Sequence, residues 1–466
     1  MVRFLTVCCL ISLLISGCAD VIPPQSRMTD PDRLSPGNVI ASAAKTEWPD
    51  EAWWKGYRDP QLDALVSKAV SGNPGLKTAM ARVRLSLSFA EDMRAKTLPQ
   101  GELDGSAQRE RFTALQFIPP PWGGHTDWNN SASVSLSYDL DFWGKLKSRW
   151  QSSIDEARAR QAEEREVRIE LATAVVRSYL RLAEEFELQD IAQRHLAELD
   201  ERAEIERRRM ETGLGTQMAL REALAPLPIA RAAIEEIDLQ IARSKSELAA
   251  LAGEGPGGTE SISRPKISLD SRTGLPDRLP AHLLGRRPDI AACRWRIEAA
   301  RHGIDAAKAA FYPDVNLAAM TGFTALGFGQ FIGKSAWMAG AGPALSLPIF
   351  DGGKRRADLA ASTSSYDIAV EQYNAAVVRA LKEVSDRLVA LRTETAREAE
   401  AIDSLGIAKD AHEMAIQSYR AGLSGYRHVL ETEAKVLKAE GALARIREKR
   451  LEAHAGLMLA LGGGTK

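Results

Sequence analysis

Gly144-Lys145, Gly213-Leu214, Leu248 and Gly253 reappear as Gly353-Lys354, Gly422-Leu423, Leu457 and Gly462, each pair 209 residues apart. With a register this tight, whatever architecture the first half adopts the second half repeats. Upstream, Asn73-Pro74 matches Arg287-Pro288 and Pro99 matches Pro313, both 214 apart. The difference of five puts a longer loop in the first half, within the turn-rich segment FTALQFIPPPWGGHTDWNN at 112–130.

Within each half a helical period gives way to alternation and then returns. Over Ser131–Gly144, Val134, Leu136, Tyr138, Leu140 and Phe142 alternate with Ser133, Ser135, Ser137, Asp139 and Asp141. This predicts a strand with one apolar and one wet, partly acidic wall. A weaker alternation through Leu103, Gly105 and Ala107 precedes it. The second half offers Pro313–Phe323 and Trp337–Ile349, so hairpins are expected at about 99–143 and 313–350.

From Lys145 to Thr212 there is no proline, and about 68 helical residues would reach roughly 100 Å. A helix of that length must pack along others. Val370, Tyr373, Val377, Leu381, Val384, Leu388 and Leu391 recur every 3 or 4 residues, a coiled-coil seam. Thr216–Gly253, with a break expected at Pro226 and Pro228, and Pro288–Phe311 are shorter, about 57 and 36 Å. Placed end to end they nearly equal the long helix, so each chain should supply two continuous and two spliced helices.

The N-terminus carries Arg3, an apolar run over Phe4–Ile15 too short to be a permanent span, and Ser16-Gly17-Cys18. This resembles a bacterial lipobox, with cleavage before Cys18 and lipid on it. Past it no run of 18 apolar residues occurs, so a mature chain that crosses a membrane must do so as a closed barrel. Four strands are too few to close, since membrane barrels start at about eight. A dimer with eight strands or a trimer with twelve would suffice. The expected organisation is a signal peptide at 1–17, a lipidated extended tether at 18–56, a first repeat at 57–253, a linker at 254–287 crossing the outside of the helical layer, a second repeat at 288–462 and a tail at 463–466.

The charge balance, 61 basic against 62 acidic residues, gives no reason to expect nucleic acid. Cys293 is the one unlipidated thiol after cleavage, which excludes an intrachain disulfide. The seven histidines are scattered, without HExxH, GxSxG or CxxC, so neither an enzyme nor a metal or cofactor site is expected. Gly253, Gly255 and Gly258 fit GxGxxG formally, but they follow a helix and enclose Pro256.

Five motifs stand in order on the duplicated frame: Asp59-Pro60-Gln61-Leu62, Tyr138 through Gly144 (YDLDFWG), Leu284 through Ile290 (LGRRPDI), Ala309 through Pro313 (AAFYP) and Leu347 through Gly353 (LPIFDGG). In this order the chain resembles the outer membrane efflux protein family, and its lipobox resembles that family's lipoprotein branch of NodT type. The resemblance implies a fold that is mainly α with a membrane β-barrel. It implies a homotrimer, with a twelve-stranded barrel continuous with a twelve-helix coiled-coil periplasmic tunnel. It further implies an exit duct for drugs or other small toxic compounds, docked to a periplasmic adaptor and an inner-membrane pump of the resistance-nodulation-division class. The hairpin tips would be Gly213-Leu214 and Gly422-Leu423. Val429-Leu430-Glu431 falls where the family often has leucine-leucine-aspartate at a periplasmic constriction. Glu431 would then form a ring of like charge, neutralised in part by Arg427 beside His428, with an ordinary solvated helix charge as the alternative. Asp139 and Asp141 are expected to line the barrel lumen, with turn capping as the alternative for Asp141. Arg207, Arg208 and Arg209 are either a solvated face or an adaptor or gating contact. Two rival readings are a lipid-anchored periplasmic coiled-coil scaffold without a pore, and the same duct serving type I protein secretion or metal export.

Overall fold

A computed structural model describes residues 23–30, 34, 40, 48–115, 122–268 and 286–464. Cys18, the signal segment and 269–285 of the linker lie outside the described residues. The chain divides into two compact units. One combines 82–160 and 293–373 with the N-terminal residues through Met28; the other combines 29–81, 161–292 and 374–466.

The helices are α1 (Pro60–Gly72), α2 (Pro74–Ala95), α3 (Lys145–Glu211), α4 (Gln217–Leu224), α5 (Pro226–Leu251), α6 (Pro288–Ala309), α7 (Lys354–Arg420) and α8 (Tyr426–Ala460). The strands are β1 (Gln100–Arg111), β2 (Thr126–Asp139), β3 (Asp314–Leu326) and β4 (Trp337–Ser346). Both long helices have 67 residues, as a duplication requires. The expected break at Pro226 falls on Ala225, which keeps helical dihedrals and bonds back to Arg221 O while the proline starts a new helix.

In the strand-bearing unit the four strands form one antiparallel sheet in chain order. Its central pair, β2 with β3, joins the two repeats. The register aligns the alternation across all strands: Leu103 faces Val134, Val134 faces Thr321, Tyr138 faces Leu317 and Val315 faces Leu345. The apolar positions therefore share one face, and Leu103, Val134, Leu136, Leu317 and Leu345 are all exposed on it.

Two strand ends differ from expectation. β2 stops at Asp139, so Leu140 and Phe142 do not continue the wall. Asp141 turns the chain with a φ of 41°, and its carboxylate accepts from Leu146 N (2.9 Å) and Lys147 N (2.8 Å), capping α3. β4 ends at Ser346 rather than Ile349, just before Pro348, which has no N–H for a ladder. The exit from β2 is pinned to the entry of β3. Trp143 stacks on Tyr312 with centroids 4.5 Å apart and donates to Pro313 O at 3.0 Å, and Lys145 Nζ lies 2.5 Å from Asp314.

The helical unit packs around Tyr57, Leu62, Val66, Val176, Tyr179, Leu457 and Leu461. Asp59 caps α1 through Gln61 N and also accepts from Tyr179 Oη (2.6 Å) and Lys266 N (2.7 Å). This explains the motif Asp59-Pro60-Gln61-Leu62: a cap, a first-turn proline, a polar clasp and a core side chain. The Trp53 ring meets Trp54, Tyr57 and His454 edge to face. Of the coiled-coil seam, Val370, Tyr373, Val377, Val384, Leu388 and Leu391 are buried and Leu381 is partly so.

The spliced helices meet at duplicated positions. α5 ends against the start of α2, where Asn73 Nδ2 donates to Leu251 O (2.9 Å) while its Oδ1 caps α2 through Gly75 N and Leu76 N. α8 ends against the start of α6, where Arg287 Nη1 donates to Ala460 O (2.9 Å) and Asp289 accepts from Ile290 N. Asn73 and Arg287 are the 214-spaced pair, and Leu251 and Ala460 are 209 apart.

Candidate functional site

The sheet has two chemically distinct faces. On the face opposite the apolar one, the register gathers Glu102, Asp104 and Glu110 of β1, Asp127 and Asp139 of β2, and Asp314 of β3, with serine, asparagine and glycine between them. No lysine or arginine occupies this face of the strands. Asp314 is paired with Lys145 and Asp139 accepts from Asn316 Nδ2 at 2.8 Å. Of the two aspartates singled out from the sequence, Asp139 lies on the polar face, whereas both carboxylate oxygens of Asp141 are engaged as a helix cap. The other acids of this wall escaped the sequence reading because β1 alternates weakly, with Gly101, Gly105 and Ala107 at apolar positions.

At the far ends of the long helices, both hairpin tips use the same backbone device. Gly213 (φ 78°) and Gly422 (φ 71°) adopt left-handed dihedrals that a side chain would strain. Leu214 N bonds to Arg209 O (2.8 Å) and Leu423 N to Ser418 O (2.9 Å), a Schellman closure in each. Leu214 and Leu423 are 76% and 83% exposed, so each tip presents a bare leucine.

Arg427 and Glu431 stand one turn apart on α8 and pair through Nε and Oε1 at 3.1 Å. Arg427, His428 and Glu431 are all exposed, whereas Val429 and Thr432 turn inward. Tyr426 is half-buried: it meets Tyr419 edge to face and lies under the Arg202 guanidinium at 4.9 Å, and burial raises its phenol above the ordinary value. The run Arg207–Arg209 is paired on its own helix with Glu204 and Glu206.

One grouping lies outside every sequence motif. His195 and Glu198 of α3 and Glu433 of α8 bring ligand atoms within 4.8 Å of one another. These residues belong to different repeats, and no local spacing signals their meeting.

Comparison with known proteins bears on the frame that carries these features. The family model for the outer membrane efflux protein matches residues 65–254 and 279–463, one segment per repeat. The chain is 38% identical over 366 residues to the fusaric acid resistance protein FusA of Burkholderia cepacia, covering 76% of this chain and 68% of that one. It is 30% identical over 466 residues to the multidrug resistance outer membrane protein MdtP of Escherichia coli, covering 97% and 94%. The crystal structure of the outer membrane protein VceC of Vibrio cholerae superposes with a TM-score of 0.81 at 31% identity, over 90% of this chain and 100% of that one. The two matched segments, the four alternating strands and the paired Schellman tips agree, and the chain belongs to the outer membrane efflux protein family: it is the outer membrane channel of an efflux system, and not an enzyme.

Proposed function

We propose that the chain is the passive exit duct of a tripartite pump, working as a homotrimer that carries drugs or other small toxic compounds out of the cell. The observation that carries this is the sheet: four strands with one apolar and one carboxylate-lined face, and with β1 and β4 left as edges. Such edges have no partner in lipid, and pairing β4 of one copy with β1 of the next in a ring of three closes twelve strands. The names of MdtP, a multidrug resistance protein, and FusA, a fusaric acid resistance protein, support the cargo class.

In this reading a lipid on Cys18 adds an anchor in the outer membrane, and the exposed tips Gly213-Leu214 and Gly422-Leu423 receive a periplasmic adaptor. The adaptor connects to an inner-membrane pump of the resistance-nodulation-division class. Glu431, Arg427 and His428 form the periplasmic gate, where three copies of Glu431 make a ring of like charge that favours cations. The polar face of the sheet lines the lumen, with Asp139 on it.

Deleting the gene and restoring it on a plasmid tests the cargo: restored export of small toxic compounds supports the reading, and unchanged susceptibility on deletion and restoration contradicts it. Native mass spectrometry of the purified protein tests closure, with three copies expected. Palmitate labelling that is lost in Cys18→Ala tests the anchor.

A further inference from the structure

The grouping at His195, Glu198 and Glu433 has the makings of a cation site. His195 and Glu198 are three apart on α3, so they share a helix face, and Glu433 reaches them from α8. His195 Nδ1 lies 3.5 Å from Glu433 Oε1. Both atoms are shielded from solvent and neither has a hydrogen-bond partner, and the Glu433 side chain is only 13% exposed. Buried polar atoms that face one another unbonded are costly.

The charge balance is equally unresolved. Glu198 and Glu433 sit side by side, with the His195 imidazole beside both. His412 is engaged, its Nδ1 3.1 Å from Thr432 Oγ1. Two adjacent carboxylates either hold a proton between them or take up a cation. One imidazole and two carboxylates projecting from neighbouring helices form a nitrogen and oxygen donor set suited to zinc and related divalent ions, of the kind helix bundles use for metals.

We propose that His195, Glu198 and Glu433 bind one divalent transition-metal ion of the zinc class per chain. The ion clamps α3 of the first hairpin to α8 of the second. It goes beyond the duct reading, since the metal here is a structural ligand and not cargo.

The test uses the untagged full-length protein in detergent, stripped with a chelator and titrated with Zn²⁺ by calorimetry. One saturable Zn²⁺ per chain and a higher thermal unfolding midpoint are expected. His195→Gln and Glu433→Gln should each weaken binding by about tenfold or more and remove the thermal shift. Loading with Co²⁺ should give a spectrum without a thiolate charge-transfer band, which excludes Cys293 as a ligand. Absence of saturable binding, or affinity unchanged in both variants, overturns the proposal. X-ray absorption on the zinc-loaded wild-type protein decides independently of any variant's folding: an imidazole and oxygen shell supports the site, and a sulfur ligand or a shell without imidazole overturns it. Bilayer conductance of the same preparation tests the duct reading separately.

Discussion

The two splice joints solve one problem with different chemistry. In the first repeat a single residue, Asn73, bonds the last carbonyl of α5 and caps α2. In the second repeat the work is divided. Arg287 reaches the end of α8, while Asp289, in the first turn of α6, accepts from Ile290 N and holds the guanidinium at 2.8 Å. Glu383 also binds Arg287 at 2.8 Å, and the neighbouring Glu166 carboxyl is pushed up to about 7, by burial first and then by Asp289. The backbone solution was kept through the duplication, whereas the polar solution diverged from a neutral amide to a buried charge network. A joint built on charge should be the more fragile and the more sensitive to pH.

Arg287→Ala tests this with the largest expected effect. The side chain is 9% exposed, and its loss leaves Asp289 and Glu383 without their cation, at a cost of about 3–5 kcal/mol in unfolding by denaturant. Asn73→Ala removes a cap and one interhelical bond, and should cost about 1–2 kcal/mol. Equal losses in the two variants would break the distinction between the joints.

Glycine substitutions sharpen the comparison between joints and tips. Gly253 and Gly462 have φ near 80°, and an added Cβ would lie 2.6 Å from Gly72 O and 2.7 Å from Arg286 O respectively. Gly213 and Gly422 have similar dihedrals but open space around them. Gly253→Ala and Gly462→Ala should therefore lower the thermal midpoint markedly. Gly213→Ala and Gly422→Ala should cost only the left-handed penalty, about 1–2 kcal/mol. If joint and tip variants melt alike, steric closure at the joints is not what these glycines serve.

The smallest effect is the pH dependence. Because Glu166 is raised from 4.5 to about 7, the folded state holds its proton more tightly than the unfolded chain does. The stability it contributes is fully present below pH 4.5 and is lost as pH rises through 7. Glu166→Gln should flatten stability across that window, which urea titrations at several pH values can measure. His454, lowered to about 4 by burial, acts in the opposite direction, and its contribution is lost as pH falls from 6.5 through 4.

Much of this architecture is legible in the primary structure because duplication and period are properties of spacing. The 209-residue register located the hairpin tips and both joints, and the alternation located β2 and its neighbours. The end of β2 was not legible, since Leu140 and Phe142 keep the apolar beat while Asp141 leaves the strand to cap a helix. The carboxylate-lined wall was half visible: Asp139 stands in a clean alternation, but Glu102 and Asp104 lie among glycines that blur it. The grouping of His195, Glu198 and Glu433 depends on helix packing across the repeats, and no local pattern encodes it. Arg427, His428 and Glu431 are singled out by motif position alone, and the structure adds the 3.1 Å pairing of Arg427 with Glu431.

Reversal potentials across planar bilayers containing the purified protein test the central claim most directly. The acidic, lysine-free and arginine-free sheet face and the proposed Glu431 ring predict stepwise conductance with preference for cations. Glu431→Ala should raise single-channel conductance or lower that preference. A protein that inserts without conducting, or conducts with preference for anions, would contradict a lumen lined by the carboxylates of this sheet.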